Sequence, residues 1–159
     1  MEICPELVWD IIINIDLHPF FVHFPISLYF LAFLLELLKA KLNWIHRNTP
    51  LLVFVIASFF TIPSSFTGNS AEVSAGKIIG IYELLSSHES IATFVTILGI
   101  FFSFFLIYTH FKFPSKNTKF LRTSIFLLMA LMVLYTGLLG GKLVKEFGAG
   151  VDIKLEQIN

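Results

Sequence analysis

The sequence predicts an all-α membrane protein, a bundle of four transmembrane helices with both termini on the outer face of the membrane. Three observations predict it: an apolar composition, four long apolar runs, and basic residues gathered mainly in two loops. Of the 159 residues, 56% are hydrophobic, 14% are charged and 19 are Phe, and mean hydropathy is +0.82. A soluble domain of this length has too little interior to hide so much apolar side chain, so its solvent must be lipid. Four spans of about 20 residues each occupy roughly half the chain, which leaves short connections and no room for a soluble catalytic domain. Cys4 is the sole cysteine, which excludes an intrachain disulfide and any zinc or iron–sulfur site built from several thiolates.

The first apolar run enters at His18-Pro19 and continues from Phe20 to Leu38, stopped by Lys39 and Lys41. A proline in its first turn removes an N–H where the loss costs least. The second run follows Thr49-Pro50 and reaches Phe66, with Pro63 expected to kink or unwind its end and Ser64, Ser65 and Thr67 able to satisfy the freed carbonyl. The third, Ile91 to Tyr108, is unbroken, and the fourth, Phe120 to Leu139, is expected to end at Gly140-Gly141. All four suffice for about 30 Å of hydrocarbon.

Basic residues set the orientation. The loop after the first run holds Lys39, Lys41 and Arg47, the loop after the third holds Lys112, Lys116, Lys119 and Arg122, and two crossings place both on one side. The opposite side has Lys77, Lys142, Lys145 and Lys154 together with every acid except Glu36. The positive-inside rule then makes the two basic loops cytoplasmic, giving a multi-pass protein of the cytoplasmic (inner) membrane with both ends outside. Residues 1–17 read as an interfacial segment around Trp9 and Ile11 to Ile13, residues 18–141 as the helical domain, and residues 142–159 as an outer tail. Glu2, Glu6 and Asp10 stand where a signal peptide carries basic residues, so the first segment is expected to be retained.

This topology brings His18, His23, Thr67, Gly68, His88, Thr136, Gly137, Gly140 and Gly141 to the outer face. His23 shares a helix face with Ser27, whereas His18, five residues earlier, is about 140° away and is expected to precede the helix and fold back over the site. His88, Ala92, Thr96 or Val95, Gly99 and Ser103 make a small, weakly polar stripe of the kind that faces a bundle interior. Thr136 with Gly140, and Gly137 with Gly141, are small pairs that admit either another helix or a flat cofactor. His46 and His110 read as ordinary polar residues of the inner side, and Glu36 with Lys39 as a helix-end pair.

The stretch His18-Pro19-Phe20-Phe21-Val22-His23-Phe24-Pro25-Ile26, Thr67-Gly68, His88 before Ala92, and Gly140-Gly141 leading to Gly148-Ala149-Gly150-Val151 together resemble a prokaryotic membrane family. That family is catalogued as domain of unknown function 2231, and the likeness covers about residues 17 to 151. The resemblance implies a four-helix membrane protein, and the joining of some members to Rieske or c-type cytochrome modules implies electron transfer. One position departs from the family pattern: Phe147 stands where a histidine often precedes the final glycines, so a second metal centre using that ligand is not expected.

Residues and resemblance converge on a b-type cytochrome-like subunit. A four-helix bundle holds haem between facing helices, with histidine ligands on both faces of the iron. No CxxCH motif occurs, so the haem would be non-covalent haem b. The expected axial ligands are His23 and His88, with His18, Thr67, Gly68, Gly137, Gly140 and Gly141 lining the cofactor. Expected partners are the lipid bilayer, quinone, and a larger redox complex or an outer-face cytochrome or iron–sulfur protein, with no nucleic acid. The alternative is a cofactor-free subunit that anchors or completes a larger membrane complex. A metal or proton transporter is a third reading, for which Glu36 as the sole mid-membrane acid is thin provision.

Overall fold

The computed structural model describes residues 17–39, 41–76, 78–112 and 118–150. They form four helices: α1 His18–Leu38, α2 Thr49–Ala75, α3 Tyr82–Lys112 and α4 Thr118–Phe147. Each is long and apolar enough to cross a membrane. Consecutive helices pack together and α4 closes back on α1, so α1 and α3 lie diagonally across the bundle. The starts of α1 and α3 and the ends of α2 and α4 meet at one end, where His18 bonds to α2 and His88 to α4. Glu36 and Arg122 join α1 to α4 at the other end. The expected interfacial segment around Trp9 and the last residues of the tail lie outside the described residues.

Three helices outrun the expected spans. At about 1.5 Å per residue, the 31 residues of α3 extend well past the hydrocarbon thickness, so its polar first turns stand beyond the apolar run. α2 does not unwind at Pro63 but continues to Ala75. Beside it Ser64 donates to the Phe60 carbonyl at 2.9 Å and Thr67 to that of Pro63 at 2.8 Å, whereas the carbonyl freed by Pro63 is that of Phe59. α4 likewise runs through Gly140 and Gly141 to Phe147. It stops only where Gly148 takes φ +66° and the Ala149 N–H returns to the Leu143 carbonyl at 3.2 Å, the usual left-handed glycine termination.

Burial follows helical spacing. On α1 the buried residues are Pro25, Tyr29, Ala32 and Glu36, and the opposite side of the bundle's helices presents Phe30, Phe59, Phe66, Phe104 and Leu138 outward, as a lipid-facing surface does. Tyr29, Phe54, Phe126 and Met129 fill the core, with Phe54 between the other two rings. At their centre is a polar node. Ser58 donates to the Phe54 carbonyl at 3.0 Å, and its Oγ accepts from Ser103 at 2.8 Å and from the Tyr29 hydroxyl at 2.9 Å. A hydroxyl has one donor and two acceptor positions, so Ser58 is saturated and ties α1, α2 and α3 together without an unpaired group. A smaller cluster of Ala75, Ile81, Leu85 and Leu143 closes the His18 end.

Candidate functional site

Eighteen residues make about five turns of helix, so His18 and Glu36 lie on one line along α1, with Pro25, Tyr29 and Ala32 beside it. His18 is the first residue of α1 rather than a residue before it, and this inward line aims its imidazole at α2. Its Nδ1 lies 3.1 Å from the Ser64 carbonyl and 3.3 Å from Thr67 Oγ1. Since Thr67 directs its own proton to carbonyls of its helix, Nδ1–H is the donor to both. On α3, His88 repeats the device: its Nδ1 lies 3.1 Å from the Thr136 carbonyl of α4, while Thr136 Oγ1 donates to the Met132 carbonyl at 2.9 Å. In each neutral imidazole a proton on Nδ1 puts the lone pair on Nε2.

The two rings meet in a T-shaped arrangement from diagonal helices, with centroids 6.5 Å apart and planes at 87°. Leu85 and Leu143, one turn beyond His88 and Gly140, belong to the apolar cluster on one side of the pair, and the main core lies on the other. Glycines make the room. A Cβ at Gly68 would come 3.0 Å from His18 Cε1, and one at Gly140 would come 3.3 Å from His88 Cε1. These glycines seat the imidazoles themselves, whereas the sequence suggested clearance for a cofactor. Gly137 accommodates Ile26 Cδ1 at 3.4 Å, and around Gly141, which is exposed, a Cβ would meet nothing.

His23 is not brought to this pair. It is exposed and bonds through Nδ1 to the Pro19 carbonyl of its own helix, and Ser27 is exposed on the same outer side. The expected partnership of His23 with His88 therefore gives way to His18 with His88. The reason is helical phase: the residue 140° from His23 is the one aligned with buried Tyr29 and Glu36. His46, bonded to the Asn48 N–H, and His110, edge-on to Phe111, belong to the opposite end. The sequence reading also passed over Glu72 and Glu89, whose carboxyl groups come within hydrogen-bonding reach between α2 and α3. Their signal was available, since Glu72 is one turn after Gly68 and Glu89 adjoins His88.

The family model described as a predicted membrane protein, DUF2231, matches residues 14–153. The chain belongs to the DUF2231 family. No curated protein and no solved structure matched the sequence. Chemistry in this DUF2231 protein is thus read from the pair itself. Among the described residues no group of three or more His, Cys, Asp or Glu is placed to hold a metal ion.

Proposed function

We propose that this protein is a membrane electron-transfer subunit that binds one haem b through His18 and His88. The observation that carries the reading is the adjacent pair, in which both Nδ1–H groups are engaged by carbonyls and both lone pairs fall on Nε2. The ring centroids lie 6.5 Å apart, and the two imidazoles would hold the iron of a haem that brings its remaining ligands with it. Haem supplies reversible one-electron chemistry when bound. The chain's own residues do the rest: Ser64, Thr67 and Thr136 hold the ring orientations and raise the basicity of the imidazoles, Gly68 and Gly140 let them seat, and the flanking apolar clusters exclude water. In the proposed orientation the pair lies near the outer face and passes electrons between quinone and a redox partner there. Cytoplasmic behaviour of reporters fused near Arg47 and external behaviour of reporters after Asn159 are the expected topology, and the reverse would move the pair to the inner face.

A second reading rests on the same hydrogen bonds. They clamp α1 to α2 and α3 to α4, with Gly68 and Gly140 backed against the rings, as a cofactor-free structural subunit requires. Oxidised and reduced absorption spectra of protein produced with ample haem separate the two. The expected result is a low-spin haem b spectrum that is lost in His18→Ala and in His88→Ala and kept in His23→Ala and His110→Gln. A wild-type protein without haem, together with a lowered unfolding temperature in the two alanine variants, would establish the clamp instead.

A further inference from the structure

The opposite end of the bundle carries a charge imbalance. Glu36, whose side chain is fully buried, accepts from Arg122 Nε at 2.9 Å and pairs with Lys39. Lys119, three residues before Arg122 and on its helix face, is close enough to act on Lys39. Among the described residues of this group, three cations against one carboxylate leave a charge of +2 at the seam of α1 and α4. Two of the cations stand in the first turns of α4, which has no acid in its first turn, although the positive end of a helix dipole disfavours them there. Burial pushes the Lys39 ammonium below its ordinary range; Glu36 opposes that drop, and Arg122 and Lys119 deepen it. Glu36 therefore gathers more positive charge than it neutralises, in a place partly withdrawn from water. Beside this charge, Leu38 is 41% and Phe120 is 83% exposed, so an apolar surface continues from the cationic seam into the lipid-facing wall.

From this juxtaposition we infer that the α1–α4 seam is a binding site for an anionic phospholipid, its phosphate held by Lys39, Lys119 and Arg122 and its acyl chains lying against Leu38 and Phe120. The chemistry selects the occupant. A phosphodiester supplies the missing negative charge and accepts charge-assisted hydrogen bonds from ammonium and guanidinium groups. A headgroup of net negative charge is needed because a zwitterionic one brings its own cation to an already cationic site. Basic pockets between membrane helices recognise acidic headgroups in this way.

The test is the unfolding temperature of the purified full chain in neutral detergent, with phosphatidylglycerol, phosphatidylcholine or inorganic phosphate added. Phosphatidylglycerol is expected to raise it at low salt, phosphatidylcholine and inorganic phosphate to leave it unchanged, and high salt to suppress the effect. Lys119→Gln spares both cations paired with Glu36 and is expected to raise about fivefold the phosphatidylglycerol concentration needed for a given shift, as loss of one basic residue near an acidic headgroup does. Equal responses to the two lipids, or an unaltered response in Lys119→Gln, would overturn the proposal. A matching response to inorganic phosphate alone would show a free-anion site and overturn the assignment to lipid.

Discussion

Replacing Glu36 by Ala is expected to destabilise the protein by about 3–5 kcal/mol, the cost of removing one partner from a buried ion pair. The carboxylate is fully buried and meets cations from two helices, Lys39 just beyond α1 and Arg122 on α4. Without it their repulsion is no longer offset, and with side chains only 11% and 20% exposed neither is well solvated where it stands. Glu36→Gln keeps a hydrogen-bonding oxygen for Arg122 but not the charge, so it should fall between wild type and Ala. Lys39→Gln should cost least, because the pair with Arg122 survives and a like-charge repulsion disappears. Denaturation of the purified variants in one detergent measures all three, and a Glu36→Ala protein as stable as wild type would show that the ion pair contributes nothing. Replacing Glu36, Lys39 and Arg122 together by apolar residues should recover much of the loss.

Glu36 also shows what the sequence could and could not reveal. Four apolar runs are visible in composition alone because lipid demands them, and their order fixes an up-and-down bundle with His18 and His88 at one end. Helix ends were less legible. Pro63 and the pair Gly140-Gly141 are breakers in water, yet α2 and α4 pass through them, as membrane helices packed against neighbours do. The stop that counts is Gly148, recognised by its left-handed backbone rather than by its composition.

Rotation of each helix was the harder inference, and the site depends on it. A span surrounded by lipid is apolar on every side, so hydrophobic periodicity gives no phase. Polar landmarks do. A buried acid at Glu36 and a tyrosine at Tyr29 mark the interior of α1, and counting back about five turns from Glu36 reaches His18 and leaves His23 outside. Reading Pro19 as the start of the helix hid that count. On α3 the landmark was present in the stripe through Gly99 and Ser103, which places His88 inward. The exchange of His23 for His18 thus comes from one unassigned angle, while the elements that bring the histidines to a common end were readable throughout.

Gly99→Ala is expected to cost about 1–3 kcal/mol by overpacking the centre of the bundle, and its dependence on one oxygen atom makes the cause testable. A Cβ at Gly99 would lie 2.1 Å from the Tyr29 hydroxyl oxygen but 3.4 Å from Tyr29 Cζ and from Ser58 Oγ. The ring cannot retreat cheaply. Tyr29 is fully buried, packs edge-on to Phe54 with centroids 5.1 Å apart, and is held to Ser58 by its 2.9 Å hydrogen bond. Either α1 and α3 spread, or the hydroxyl leaves Ser58 and loses a buried bond. Tyr29→Phe alone should cost about 1 kcal/mol, because Ser58 keeps Ser103 as a donor and the Phe54 carbonyl as an acceptor. Removing the hydroxyl also removes the atom that collides, so Tyr29→Phe with Gly99→Ala should cost clearly less than the two single changes added together, a coupling of about 1 kcal/mol or more. Unfolding free energies of the four proteins close the cycle. Strict additivity would mean that Gly99 is needed for some other contact, and that the close approach of α3 to α1 does not depend on the Tyr29 hydroxyl.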